Sequence, residues 1–285
     1  MEKLGISTDC MCDLPENYRK ENAVNVMQFY IYTSSGRFWN ESEITSDNIL
    51  DYFEAGNVTL RTDAPEPEEC RAYFESLLTR YEQVVHITTS NKIGMSYPNA
   101  KAALELMGQA AERITLINSG SVSTGMGHMV MLAVTLRDSG KSPGEIARAC
   151  DDMRGKISAS FIIPNTDYLY RMGYASQFVR NLCVLLKIHP VLYTKNGKLA
   201  FKEFCVGHYE KAVMRYIRRE FRHRKRIDKR QLFITHAGCP AKIITQVKAK
   251  ADELCKFEKV TVTKASAVIS SCCGPETVGV LYVYQ

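Results

Sequence analysis

The segment from Gln83 to Leu106 constrains the fold more than any other part of the chain, because it reads as a strand, a polar loop and a helix in succession. It begins with an apolar run of Val84, Val85 and Ile87, which is typical of a strand buried in a parallel sheet. After the polar loop, apolar residues return at helical spacing from Tyr97 onward. Such a loop lies at the carboxyl edge of a sheet, where open α/β proteins bind ligands. The pattern therefore predicts either an anion-binding turn or a loop that only caps the helix.

A second strand, loop and helix follow the first, and the pattern of apolar residues changes near residue 156. A second strand at Ile114 to Ile117 precedes a Gly- and Ser-rich loop and an apolar helix. Beyond residue 156, short strands lie among helices, and Asn196-Gly197 is a strong hairpin signal. The chain is therefore predicted to be an α/β protein of two domains. Residues 1–155 are expected to form a Rossmann-like domain with a mostly parallel sheet, and residues 156–285 an α+β domain.

Turn residues and helix caps predict the element boundaries around the candidate site. Residues 59–69 read as a loop that feeds a helix over residues 68–81. Residues 209–226 read as one long helix, and residues 272–276 read as a turn.

Composition limits the class of protein. Hydrophobic residues make up 45% of the 285 residues and charged residues 24%, which is typical of a globular protein with a sizeable core. No stretch approaches the roughly 20 apolar residues of a membrane span. The first residues enter a strand pattern without an apolar signal segment, so we expect a cytoplasmic protein.

Ten cysteines are many for a cytoplasmic chain, yet their spacing disfavours a metal site. They form no C-x-x-C pair, whereas zinc sites usually show paired cysteines at short spacing. The one grouping with any resemblance to a metal cluster is Cys10, Cys12, Cys272 and Cys273. We therefore expect buried, reduced thiols, no metal and no cofactor.

Positive charge is concentrated in one segment, Lys211 to Arg230. It holds ten Lys and Arg residues against two acidic residues, a local charge of +8, so the rest of a chain with net charge +6 carries −2. A helix there places Arg218, Arg219 and Arg222 on one broad face. This face is either simply solvated or a docking surface for an acidic partner protein, and transient contact with an anionic membrane ranks next. Nucleic acid ranks last, because no nucleic-acid motif accompanies the basic stretch.

Several short motifs carry a resemblance to a known family. In chain order they are Ser7-Thr8-Asp9 with Asp13-Leu14-Pro15, Thr62-Asp63-Ala64-Pro65, Thr89 to Tyr97 with Ala100, Asn118-Ser119 with Ser123, Gly125 and Gly127, Ile234 to Gly238, and Gly274-Pro275 with Gly279. Each motif is weak alone, but their order is specific and spans nearly the whole chain. The chain resembles the DegV family of bacterial fatty-acid-binding proteins.

The resemblance implies a two-domain α/β protein that encloses one long-chain fatty acid in an apolar tunnel, with the carboxylate near the domain boundary. Family members are not known as independent enzymes, and they present the acid to a separate ATP-dependent fatty acid kinase that makes an acyl phosphate for phospholipid synthesis. Burial of about 16 methylene groups at roughly 0.8 kcal/mol each favours binding before ordering costs. The sequence contains no Walker loop and no G-x-S-x-G motif, so we expect a non-catalytic lipid-binding protein.

The departures from the family pattern fall on the carboxylate-binding positions. The family's head-group threonine corresponds to Thr62, which is intact, but its serine corresponds to Gly94. Its histidine, its arginine and the aspartate of its Asp-Ser motif correspond to Cys272, Tyr174 and Asn118. The head-group set implied for this chain is Thr62, Gly94, Met95, Ser96, Asn118, Ser119 and Cys272. The chain either holds the same carboxylate with other donors, which the surviving motifs favour, or carries a lipid with a different head group.

The main candidates also have purely structural interpretations. Thr62 is placed to cap the helix after it, and Ser96 to be an N-cap near Tyr97. His236 and Cys272 are expected to line the pocket or pack in the core. A Cys–His nucleophile would need the two groups within hydrogen-bond reach, which a sequence does not show.

Overall fold

The computed structural model describes residues 2–56, 60–164, 166, 167, 170 and 176–285, except for the side chain of Arg224. The strands are β1 (Glu2–Asp9), β2 (Val24–Met27), β3 (Tyr30–Thr33), β4 (Gly36–Trp39), β5 (Arg61–Asp63), β6 (Tyr81–Thr88), β7 (Ile114–Asn118), β8 (Ile157–Ile162), β9 (Ile188–Lys195), β10 (Lys198–Val206), β11 (Ile227–His236), β12 (Lys259–Lys264) and β13 (Val278–Tyr284). The helices are α1 (Glu16–Glu21), α2 (Ser46–Glu54), α3 (Pro67–Leu78), α4 (Ser96–Met107), α5 (Thr124–Asp138), α6 (Pro143–Arg154), α7 (Gln177–Leu185), α8 (Tyr209–Glu220), α9 (Ala241–Cys255) and α10 (Ala267–Cys273). Short 3₁₀ segments cover Cys10–Cys12, Gly108–Arg113 and Phe221–Arg226.

Strand β6 lies inside a four-stranded parallel sheet with the order β2-β1-β6-β7. Val84 packs among the side chains of α3 and α4, whereas Val85 and Ile87 pack with those of α5 and α6. Helices thus cover both faces, so the strand needs apolar residues on both sides, which explains its continuous apolar run. The expected Rossmann-like parallel sheet is confirmed.

The second half of the chain forms a six-stranded mixed sheet with the order β10-β9-β8-β13-β11-β12. Helices α8 and α9 cover one face, where Tyr216 and Val247 join one core with Val280. On the other face, Phe233 and Leu281 belong to the same core as the helices of the parallel sheet. The two large sheets are therefore joined by continuous apolar packing.

A third, three-stranded antiparallel sheet has the order β4-β3-β5. It lies early in the chain, but the neighbouring helix α2 contacts α10 near the C-terminus. The hydroxyls of Ser46 and Ser270 are 2.6 Å apart in that contact. The predicted boundary between residues 155 and 156 lies between α6 and β8, and the division into residues 1–155 and 156–285 remains a prediction.

Two predictions around β5 and α3 were wrong. Residues 61–63 form a strand and not part of a loop, because Thr62 pairs with Ile31 of β3, a contact between distant segments that local sequence does not show. Helix α3 ends at Leu78 and does not reach Tyr81, which instead begins β6 and pairs with Glu2.

Two further boundary predictions, in the second half, also need correction. The helix predicted over residues 209–226 ends at Glu220, and a 3₁₀ segment with a non-helical His223 follows it. Cys272 and Cys273 are the last residues of α10 and not the start of a turn. This helix begins after Ser266, whose hydroxyl accepts a hydrogen bond from the Ile269 amide. Its seven residues were too few to give a clear helical period.

Candidate functional site

A cavity of about 810 Å³ lies where the carboxyl edge of the parallel sheet meets the six-stranded sheet. Its volume is within the range of roughly 300–1,000 Å³ that is usual for small-molecule sites. Thr89, which follows β6, lines it from the first sheet, and Ala159 and Leu192 line it from the second. The loop after β6 therefore does form part of a pocket wall, at the edge where ligands bind in α/β sheets.

The cavity lining includes three polar side chains from distant segments. Thr62 comes from β5, Ser96 is the first residue of α4, and Cys272 lies near the end of α10. Gly94 and Met95 line the same cavity just before α4. Five of the seven predicted head-group residues therefore line the cavity, and their role in binding a head group remains a prediction.

Ser96 is the most informative of these residues. Its side chain is 2% exposed, and its Oγ has no hydrogen-bond partner among the described residues. The predicted N-cap role is not observed, because the residue at the N-cap position is Met95 and α4 already includes Ser96. A buried hydroxyl without a partner costs free energy, so this Oγ indicates a position where a ligand atom completes the hydrogen bonding.

Thr62 and Cys272 interact with each other. Burial raises the pKa of the Cys272 thiol above its ordinary value, and this outweighs the opposite effects of the neighbouring Ser271 and Thr62 hydroxyls, which lower it. The thiol is therefore protonated near neutral pH and is a poor nucleophile.

His236 also lines the cavity, but its Nδ1 accepts a hydrogen bond of 3.2 Å from the Cys239 amide. Burial, together with the charge of Lys264, lowers the pKa of His236. No hydrogen bond joins His236 to Cys272 among the described residues, and the raised thiol pKa also speaks against a Cys–His nucleophile.

Gly94 has open space where a side chain would be. A Cβ built on it would meet no atom of the described chain within 4 Å. The absence of a serine here therefore does not result from crowding, and Ser96, two residues later, is the nearest buried serine in the sequence that lines the cavity.

Asn118 and Ser119 are not among the cavity-lining residues. The Asn118 Oδ1 accepts hydrogen bonds from the amides of Asn91 and Gly120, at 3.3 Å and 3.0 Å. The Ser119 Oγ donates to the Ser121 carbonyl at 3.1 Å and accepts from the Ser121 amide. Both side chains therefore stabilise the turn after β7 and do not line the cavity. Tyr174 lies outside the described residues.

Asp13 holds two cavity-lining segments together and was not among the predicted site residues. Its carboxylate accepts hydrogen bonds of 2.6 Å from the Ser123 hydroxyl and 2.8 Å from the Ser266 amide. Burial raises the pKa of Asp13 to about 7. In the sequence, Asp13 is marked only by the Asp-Leu-Pro motif. That motif does not reveal hydrogen-bond partners more than a hundred residues away.

The apolar part of the cavity is lined mainly by β8, β9, β10 and α7. The β9–β10 hairpin reaches back to the loop after β6, where Ser90 Oγ donates to the Gly197 carbonyl at 2.6 Å. Lys92 Nζ donates to the Asn196 carbonyl at 3.0 Å. The predicted Asn196-Gly197 turn is confirmed, with φ of 50° and 80°, and its tip contacts the loop after β6.

The basic residues chosen from the sequence lie outside the cavity. Arg218 and Arg219 are exposed on α8, and Arg222 is exposed in the 3₁₀ segment that follows. Arg219 donates to Glu203 at 3.0 Å, so part of its charge is already paired. The opposite face of α8 is buried in the core of the six-stranded sheet.

The structure also bears on metal and membrane binding. All ten cysteines are free thiols. Within the part of the chain that the structure describes, no group of three or more His, Cys, Asp or Glu side chains is arranged to hold a metal ion. In the same part, no helix is both long enough and apolar enough to cross a membrane.

Comparison with known proteins gives matches along nearly the entire sequence. A family model described as "Uncharacterised protein, DegV family" matches residues 3–285. A DegV domain-containing protein of Caldanaerobacter subterraneus subsp. tengcongensis is 24% identical over 284 residues, which are 99% of this chain and 99% of the relative.

Solved structures of low sequence identity share the fold. A DegV family protein from Thermus thermophilus, described as binding fatty acid, superposes with a TM-score of 0.87 at 24% identity, over 99% of this chain and 100% of that one. A DegV family protein from Eubacterium eligens loaded with heptadecanoic acid gives 0.85 at 16% identity, over 99% and 100%.

The B3 protein of the Streptococcus pneumoniae fatty acid kinase, loaded with linoleic acid, has a TM-score of 0.84 at 17% identity, over 99% of this chain and 100% of that one. These likenesses confirm the two-domain α/β fold, and the family match confirms the resemblance that the motifs indicated. Since the family model matches residues 3–285 of the 285-residue sequence, the chain belongs to the DegV family.

Proposed function

We propose that this chain binds one long-chain fatty acid in the 810 Å³ cavity and presents its carboxylate to a separate fatty acid kinase. The observation that carries the proposal is the unpartnered Oγ of Ser96, buried in a cavity whose walls are otherwise largely apolar. The relatives with bound fatty acids and the relative from a fatty acid kinase support it.

The head group would lie against Thr62 and Ser96. A carboxylate only accepts hydrogen bonds, so it needs donors. Ser96 has a hydroxyl without a partner among the described residues, and Thr62 supplies a second hydroxyl that lines the same cavity. Two hydroxyl donors offset part of the cost of removing the carboxylate from water, and burial of the acyl chain supplies the main attraction.

In this proposal the chain is a carrier and not a catalyst. The thiol of Cys272 is protonated, and His236 is held by the Cys239 amide, so neither is prepared for covalent chemistry. The transfer of phosphate to the carboxylate would belong to the kinase partner, which supplies ATP.

The direct test is native mass spectrometry of the protein purified from a bacterial host, followed by denaturation and identification of the released lipid. A mass excess that corresponds to one fatty acid is expected. A clean apo mass together with no stabilisation by added long-chain acids would refute the proposal. Release of a lipid without a carboxyl group would instead support the alternative, a carrier for a different head group.

The exposed face of α8 supports a second candidate function, which is docking of an acidic partner. Arg218 and Arg222 are exposed and lie apart from the cavity, so partner binding there would leave the lipid site accessible. An acidic face on the kinase is the partner that this charge favours, and anionic membrane and nucleic acid are weaker alternatives.

A further inference from the structure

A second cavity of about 310 Å³ adjoins the first, and two residues line both of them. These are Cys183 on α7 and Thr166 in the segment after β8. Cys183 is 5% exposed and Thr166 is 2% exposed, so both are packed inside the protein. The partition between the two cavities thus includes two small side chains.

The partition belongs to the apolar part of the main cavity. Val179, one helical turn before Cys183, also lines the main cavity, as do Pro190 and Leu192 of β9. Ser96 and Thr62, the proposed head-group residues, come from elements in the first half of the chain. An acid anchored at these two hydroxyls would therefore direct its methyl end toward the partition.

The second cavity, beyond the partition, has a more polar lining than the first. The second cavity is lined by Lys187, His189 and His208, whereas the first is lined near Cys183 by aliphatic side chains. The His189 ring is fixed in place, because its Nδ1 lies 2.8 Å from the Pro164 carbonyl and its Nε2 lies 2.9 Å from the Gly207 carbonyl. Val184 and Ile188 also line the second cavity, so an acyl chain that passed the partition would still find some apolar surface there.

We infer that Cys183 and Thr166 set the maximum length of the acyl chain that this protein accepts. The inference rests on the proposed function and adds the residues that select among fatty acids. Each methylene that loses its place in the apolar cavity should weaken binding by about fourfold, so exclusion of three should weaken it by roughly sixty-fold.

The test compares titrations of delipidated full-length variants with a series of saturated acids from dodecanoic to eicosanoic acid. Cys183→Phe should shift the preferred length to shorter acids, with losses confined to the longest acids that the parent protein binds. Thr166→Leu adds volume from the other side of the partition and should shift the preference in the same direction. The double variant with Cys183→Ala and Thr166→Ala removes volume and should shift the preference to longer acids.

Leu185→Phe is the matched control, because Leu185 is on the same helix, is 77% exposed and lines neither cavity. It should leave the length profile unchanged. If the parent binds acids but folded Cys183→Phe and Thr166→Leu both keep its length profile, the inference is wrong while the proposed function stands. If the delipidated parent binds no acid of any length, the proposed function fails and the inference fails with it.

Discussion

The hydroxyls of Thr62 and Ser96 both line the cavity but differ in their contacts with neighbouring side chains. Ser96 Oγ is buried without a partner, whereas the Thr62 side chain is already in contact with the Cys272 thiol. Because burial raises the pKa of this thiol, the thiol keeps its proton near neutral pH.

The first prediction concerns the donor at Thr62. Thr62→Val keeps the shape of the side chain but removes a hydrogen bond to a charged oxygen, which is worth roughly 1.5–3 kcal/mol. Binding of the free acid should weaken by about ten- to a hundred-fold, and binding of its methyl ester should change much less. The measurement is a pair of titrations, with free acid and methyl ester, on both proteins. Equal losses for the two ligands would show that Thr62 is structural.

The second prediction uses the open space at Gly94. Gly94→Ser adds a hydroxyl where no atom of the described chain lies within 4 Å of the new Cβ. It should tighten binding of the free acid by about tenfold, since a new donor to a carboxylate is worth about 1.4 kcal/mol or more. Gly144→Ser in α6 is the matched control, because its Cβ also meets open space and lies away from the cavity. No gain in affinity at position 94 would place the carboxylate elsewhere.

At the scale of the element, helix α8 has an apolar face that packs in the core and a basic face that is exposed. Its buried face joins the core of the six-stranded sheet, and its exposed face carries arginines that include Arg215, Arg218 and Arg219. Arg215 and Arg219 donate to backbone carbonyls of β10, at 2.5 Å to Val206 and 3.1 Å to Phe204, so these two also hold the edge strand. The basic face is therefore partly structural, and the remaining charge is available to a partner.

The third prediction tests that charge. Reversal of Arg218 and Arg222 to Glu should leave fatty acid binding intact but slow acyl-phosphate formation with the cognate kinase, because the encounter with an acidic partner would lose its electrostatic attraction. Reversal of the exposed Lys3 and Lys101, which lie on other elements, serves as the control. If the variant supports the same kinase turnover as the parent at low salt, the basic face is simply solvated and does not dock the partner.

At the scale of the whole molecule, the site exists because distant segments are held together by buried polar contacts as well as by the shared core. Asp13 bonds Ser123 before α5 and Ser266 before α10, so one carboxylate joins three parts of the chain. Burial opposes its ionisation and raises its pKa from 3.8 to about 7. Its protonated form is therefore favoured by folding, relative to the unfolded chain.

The fourth prediction follows from the sign of this shift. A carboxyl group with a raised folded-state pKa stabilises the fold at low pH, and this contribution is lost as the pH rises from about 4 to about 7. Asp13→Asn, which cannot ionise, should lack this loss. The stability of the parent relative to Asp13→Asn should therefore fall between pH 5 and pH 8, by up to about 3 kcal/mol. Urea unfolding of both proteins at the two pH values measures it, and parallel pH profiles would contradict the assignment.

The elements that sequence reasoning placed well were those with strong local signals. Strand β6 followed from its continuous apolar run, and the Asn196-Gly197 turn followed from the positive φ that such a pair tolerates. Strand β5 was missed, because an edge strand of three residues is too short to show a periodic pattern of apolar residues. Asn118 and Ser119 were placed near the ligand because they match the Asp-Ser motif of the DegV family, but their side chains form hydrogen bonds within their own turn.

The sequence by itself determined the class of fold, since periodicity of apolar residues follows from the geometry of strands and helices within one segment. It also determined Thr62, Ser96 and Cys272 as candidates, through motifs whose order is written along the chain. Only the tertiary structure decided that these three line one cavity, that Ser96 lacks a partner among the described residues, and that Cys183 and Thr166 line two adjoining cavities. The reason is physical: burial, hydrogen-bond partners and cavity walls depend on distances between segments remote in sequence, and local patterns do not contain those distances.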